Sequence, residues 1–154
     1  MRSTRLSHTQ SLSNLSLQMQ LYYNFLFSVL YMIIIGSCAV YKALYYNKKV
    51  SVSVWTVWIF FEVIRLYYGF SGNLKEKVPE LATYVLITIF PQIPFTLYFA
   101  YIQPVIFPVD PILGTFMLIF LCLQVYTGFT ASRLQIGNQT AQFLREIGDR
   151  GPRD

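Results

Sequence analysis

The sequence predicts an all-α integral membrane protein, a four-helix transmembrane bundle with both termini in the cytosol. Three observations carry that expectation. The 154 residues are 55% hydrophobic and only 12% charged, with a mean hydropathy of +0.46, whereas soluble domains carry about a quarter charged residues. Uncharged runs occupy 19–41, 50–61, 81–109 and 111–132, and a bilayer is crossed by roughly 20 apolar residues. The basic residues are shared unevenly between the two sides that such spans would separate.

Residues 1–20 form the expected cytosolic N-terminal arm, rich in Ser, Thr and Gln, with Leu12, Leu15, Met19 and Tyr22 at helical spacing. It reads equally as a short amphipathic helix or as a disordered arm. The transmembrane domain covers 21–132, with helices near 21–45, 50–69, 81–102 and 111–131. Span 1 closes on Lys42-Ala43-Leu44-Tyr45-Tyr46-Asn47-Lys48-Lys49, where tyrosines suit the headgroup region and lysines snorkel outward. Span 2 reaches full length only by including Glu62 and Arg65. An acid three residues before a base shares its helix face and suits the helix dipole.

A turn at Gly69, Gly72 and Asn73 then leads through Pro79 into span 3. That span contains Pro91-Gln92-Ile93-Pro94. Each proline removes a donor and frees the carbonyl four residues earlier, so a kink is expected there. Pro104, Pro108 and Pro111 shape the next turn, and Gly128 with Ser132 offers small-residue spacing near the end of span 4. The cytosolic tail, 133–154, places Leu134, Ala141, Leu144 and Ile147 on a loosely helical stripe that either docks a partner or lies in water.

With four spans both termini share a side. That side holds Arg2, Arg5, Arg65, Lys75, Lys77, Arg133, Arg145, Arg150 and Arg153, nine of the twelve bases. Lys42, Lys48 and Lys49 remain opposite, so the positive-inside rule puts both termini and the 70–80 loop in the cytosol. The sequons at Asn14 and Asn138 then never meet the lumenal machinery. A net charge of +5 points to anionic lipid headgroups rather than nucleic acid.

No catalytic constellation is visible, and no cofactor is expected. Cys38 and Cys122 fall in apolar runs that disfavour the thiolate, and His8 is a lone histidine without a zinc ligand set. Glu62 and Arg65 are read as the only ionisable groups inside the spans, either an ion or proton site or a mutually neutralised pair that fixes helix register. The structural reading is favoured because a proton path needs further polar stations. With Gly69 as the cytosolic end of span 2, Arg65 lies about 6 Å and Glu62 about 10 Å from it, so Arg65 is expected to snorkel. The alternative to a scaffold is a small transporter or channel subunit with a proline-kinked third helix, since a Pro-Gln dipeptide marks one family of small carriers. The segment has no repeat elsewhere in the chain.

Glu62-Val63-Ile64-Arg65-Leu66-Tyr67-Tyr68-Gly69-Phe70-Ser71-Gly72-Asn73-Leu74 resembles the signature of the small tetraspan family that contains transmembrane proteins 17, 80 and 216. Leu17-Gln18-Met19-Gln20-Leu21-Tyr22-Tyr23-Asn24, Lys75-Glu76-Lys77-Val78-Pro79-Glu80-Leu81 and Gln92-Ile93-Pro94 extend the likeness over roughly 15–135. The resemblance implies a non-enzymatic subunit of the tectonic-like, or Meckel syndrome, complex in the ciliary membrane at the transition zone. Its implied partners are other transition-zone membrane proteins, and its implied roles are ciliogenesis, the ciliary membrane barrier and Hedgehog signalling in animals. The candidate structural or partner-binding residues are Glu62, Arg65, Gly69, Gly72, Asn73, Pro79, Pro91 and Pro94.

Overall fold

Long apolar runs without internal charge favour helices that satisfy their own backbone groups, as lipid requires. The computed structural model describes residues 15–47 and 49–149; the arm at 1–14 with Arg2, Arg5, His8 and Leu12, position 48 and residues 150–154 lie outside the described residues. Four helical rods are long and apolar enough to cross a membrane. They are α1 (Leu15–Tyr45), α2 (Lys49–Leu74), a composite third rod and α5 (Val109–Asp149). The third rod consists of α3 (Val78–Ile87), a π-helical turn (Thr88–Gln92), α4 (Ile93–Leu97) and a second π-helical turn (Tyr98–Ile102).

Successive rods run antiparallel. Asn73 at the end of α2 bonds Gln18 near the start of α1 (2.9 Å), and Gln139 of α5 donates to the Glu76 carbonyl (3.0 Å). These contacts define a tail end of the bundle. Lys42 at the end of α1 meets Asp110 at the start of α5 at the other end, the Lys42 end.

The glycines of span 2 do not make its turn. Gly69, Gly72 and Asn73 all lie inside α2, which ends at Leu74, and the reversal falls on 75–77. Glu76 takes the left-handed conformation there (φ 54°) and the Lys77 N–H bonds the Gly72 carbonyl (3.1 Å). A Cβ at Gly72 would come within 2.7 Å of the Leu81 backbone nitrogen, so the glycine lets α2 and α3 touch at the backbone. Packing outweighs the roughly 1 kcal/mol that a glycine costs inside a helix.

The kink of span 3 falls at Phe90, whose φ of −143° and ψ of 119° are extended. The ring of a following proline crowds the preceding residue out of the α region, and Pro91 follows. Pro94 does not kink the rod: it occupies the first turn of α4, where its missing N–H is of no consequence.

Two apolar cores are stacked along the bundle. Tyr31, Ile35, Trp58, Phe99, Met117 and Leu121 fill the Lys42 half. Leu17, Leu21, Leu81, Tyr84 and Ala131 fill the tail half. Outward faces are also apolar, including Phe25, Leu30, Phe60, Val63, Ile119 and Leu123. Polar side chains are concentrated inside, as expected when the surrounding solvent is hydrocarbon.

Candidate functional site

Between the two cores lies a polar layer to which every rod contributes. Glu62 stands mid-way along α2, about 18 Å from Leu74 at 1.5 Å per residue, so it sits at the centre of the span. Glu62 is 4% exposed and Arg65 fully buried. Arg65 grips the carboxylate with two nitrogens, Nε to Oε2 (3.0 Å) and Nη2 to Oε1 (2.6 Å). Such fork-on-fork geometry adds both energy and direction to an ion pair. Neighbouring rods supply the rest. From α1, Ser28 Oγ donates to Oε1 and Asn24 Nδ2 lies 3.5 Å from the same oxygen. From the kinked segment, Gln92 Nε2 donates to Oε2 (2.6 Å). From α5, Gln124 Oε1 accepts from Arg65 Nη1, while its Nε2 lies 3.4 Å from the Gln20 carbonyl. The Tyr84 ring lies 5.9 Å from the guanidinium carbon, within cation–π range.

The kink serves this layer. Thr96 Oγ1 donates to the Gln92 carbonyl (2.9 Å) and accepts from Trp58 Nε1 (3.4 Å), anchoring the backbone that carries Gln92.

A second charged centre closes the Lys42 end. Lys42 and Asp110, 1% and 0% exposed, form an ion pair of 2.5 Å. Asp110 Oδ2 also accepts from Gln103 Nε2 (2.9 Å) and from the Phe107 backbone N–H (2.7 Å), and Lys42 Nζ sits 4.7 Å from the Phe107 ring centre. This one carboxylate thereby fixes the Gln103–Pro108 turn and ties it to α1. Each buried centre is neutral as a whole, which keeps four charges tolerable inside lipid.

Three sequence expectations are corrected by this geometry. Arg65 does not snorkel, because α2 extends past Gly69 and the guanidinium finds acceptors inside the bundle; it also leaves the count of nine headgroup-level bases. Lys42 does not snorkel either, since Asp110 holds it inward. Glu62 and Arg65 are not the only ionisable groups inside the rods, and further polar stations do surround them.

Curated relatives match this chain over most of its length. The profile for the transmembrane protein 17 family, described as a predicted membrane protein, matches residues 19–121. The chain belongs to the transmembrane protein 17 family. It is 34% identical over 143 residues to transmembrane protein 17A of Danio rerio, an overlap covering 88% of this chain and 64% of that protein. To transmembrane protein 17 of Bos taurus it is 31% identical over 147 residues, covering 92% and 73%. To that of Gallus gallus it is 34% identical over 147 residues, covering 90% and 69%. The chain thus spans just under two thirds of the Danio rerio relative. No solved structure matches it.

In this member of the transmembrane protein 17 family, the residues singled out from sequence divide between three places. Glu62 and Arg65 form the central pair, and buried Pro91 sets the backbone that brings Gln92 to them. Gly69, Gly72 and Asn73 gather at the tail end. A Cβ at Gly69 would come within 2.8 Å of Leu21 and 2.9 Å of Tyr84, and Asn73 is fully buried against Gln18. Pro79 and Pro94 are exposed in the first turns of α3 and α4. Sequence reasoning missed Asn24, Ser28 and Gln124 as partners of the pair, and Asp110 as the partner of Lys42. Gln124 carried a usable signal, since an amide in an otherwise apolar span demands an interhelical partner. Asn24 and Ser28, four apart on one face of span 1, carried a weaker one. Lys42 and Asp110 gave none, because charges at span ends are ordinary.

Proposed function

We propose that this chain is a non-enzymatic membrane subunit of the ciliary transition-zone complex, the tectonic-like or Meckel syndrome complex, with both termini in the cytosol. In that role it supports ciliogenesis and the diffusion barrier between ciliary and plasma membranes, and in animals Hedgehog signalling. Membership of the transmembrane protein 17 family supports the reading, through the resemblance carried by the 62–74 signature. The observation that carries its scaffold character is the central layer. Glu62 and Arg65 are engaged by Ser28, Gln92 and Gln124 from the three other rods, which locks one helix arrangement. A bundle locked in this way presents fixed outer faces to neighbouring membrane proteins, whose association rests on side-chain fit and interhelical polar contacts.

A tagged copy in a ciliated cell tests the assignment. Concentration at the ciliary base, and capture of other transition-zone membrane proteins from that site, is the expected result. One observation favours the carrier as second reading: Gln92, on the proline-broken segment of the third rod, reaches the carboxylate at membrane depth. Uniform plasma-membrane signal together with protein-dependent sugar or amino-acid uptake into liposomes would put that reading first.

A further inference from the structure

A cleft of about 590 Å³ opens toward lipid between α1 and α2, on the Lys42 half of the bundle. Its α1 wall runs from Met32 to Leu44, twelve residues on, or about 18 Å at the helical rise. That length is close to one leaflet of a hydrocarbon core about 30 Å thick. The floor is flat: a Cβ on Gly36 would come within 2.4 Å of the Trp55 ring, so the indole lies against bare backbone. The wall offers few polar groups, and the Ser37 hydroxyl is already bonded to the Ile33 carbonyl (2.7 Å). At the mouth, Tyr41 stacks on Tyr45 (ring centres 4.3 Å apart) and meets Phe107 edge-on (5.9 Å). Aromatic groups of this kind settle at the level of the lipid headgroups.

We propose that this cleft holds a membrane sterol, with its fused rings along the Gly36 and Trp55 floor and its hydroxyl among the tyrosines at the mouth. A second observation in the sequence names the chemistry. Leu44, Tyr46 and Lys49 follow the order of the short pattern proposed for sterol contact: an aliphatic residue, a short spacer, a tyrosine, a short spacer and a base. Val40, Tyr45 and Lys49 satisfy it as well. The pattern is frequent by chance; here its aliphatic members, Val40 and Leu44, line the cleft itself. A flexible acyl chain would lose rotational freedom on lying along this open, flat-floored groove, whereas rigid fused rings lose little. A sterol's one hydroxyl also suits a cleft whose tyrosine, Tyr41, lies toward the Lys42 end of its wall. The proposal is independent of where in the cell the protein resides.

A photoreactive cholesterol analogue, applied to the full chain in phosphatidylcholine nanodiscs and mapped by peptide mass spectrometry, tests it. Saturable labelling confined to the 32–46 segment and Trp55 is expected, falling about tenfold with a large excess of unlabelled cholesterol. Filling the cleft from its exposed wall, with Ile33→Trp and Val40→Trp together, is expected to lower labelling similarly, while Ile119→Trp on the lipid face of α5 leaves it unchanged. Should the paired change reduce heat stability, Tyr41→Ala at the mouth replaces it, with a severalfold loss of labelling expected. Labelling that rises without saturation and spreads over all four rods would overturn the proposal. So would labelling insensitive to both cleft variants, or crosslinks from the cleft to a second protein chain in place of the sterol.

Discussion

Arg65 ties α2 to α5, because its guanidinium contacts Glu62 on its own helix and Gln124 on α5. Removing one member of a buried pair leaves the other charge uncompensated, which costs about 3–5 kcal/mol, whereas removing both is far milder. Arg65→Leu is therefore expected to lower heat stability in detergent sharply, and Glu62→Gln combined with Arg65→Leu to recover part of the loss. Equal stability of Arg65→Leu and wild type would show that the pair holds nothing together. Gln124→Leu is expected to be intermediate, at about 1–3 kcal/mol, since it strips one acceptor from Arg65 and leaves the pair intact. The same logic applies to Lys42→Met against Lys42→Met with Asp110→Leu, where the single change is expected to be the worse of the two. Heat-induced aggregation curves on the five variants decide all three cases.

Among the elements, the α2–α3 hairpin shows most plainly how packing overrides local preference. Gly72 stays helical at a known cost because α3 approaches to backbone contact. Gly72→Leu is expected to push the two rods apart, destabilising by at least about 1–3 kcal/mol, the range for overpacking a filled site. Gly137 on α5 is the opposite case: nothing lies within 4 Å of a Cβ placed there. Gly137→Ala is therefore expected to stabilise by about 0.5–1 kcal/mol, the ordinary helical gain. If Gly72→Leu were as harmless as Gly137→Ala in thermal denaturation, the close contact would not exist in the membrane. α5 itself is 41 residues long, about 61 Å, and so runs well beyond a 30 Å hydrocarbon core. The tail stripe read from sequence thus continues the fourth rod to Asp149, with Leu134, Phe143, Leu144 and Ile147 exposed.

At the scale of the whole molecule, the contacts of Gln18 with Asn73 and of Gln139 with Glu76 place the start of α1, the α2–α3 turn and the tail on one side. The proposed cytosolic side is this one, since it carries Lys75, Lys77, Arg133 and Arg145, whereas the other end carries Lys49 and a Lys42 neutralised by Asp110. In a background with Cys38 and Cys122 replaced by alanine, an impermeant thiol reagent outside intact cells is expected to label Asn47→Cys. Glu76→Cys and Arg145→Cys should stay unlabelled until the membrane is opened. Labelling of Glu76→Cys from outside would invert the topology.

The number, order and approximate limits of the spans were determined by the sequence itself, because hydropathy is a local sum over about 20 residues and needs no knowledge of neighbours. The signature around Glu62 and Arg65 was legible for the same reason: two charges in an apolar run stand out wherever the helix ends up. The tertiary structure alone decided where α2 stops, that Arg65 turns inward, and that Ser28, Gln92 and Gln124 complete the pair. It alone joined Lys42 to Asp110, 68 positions apart. Those outcomes depend on the rotation of each rod about its axis and on how closely neighbours approach, and both are set by packing of side chains from different helices. A lysine at a span end looks the same in sequence whether it reaches for water or for a carboxylate on another rod.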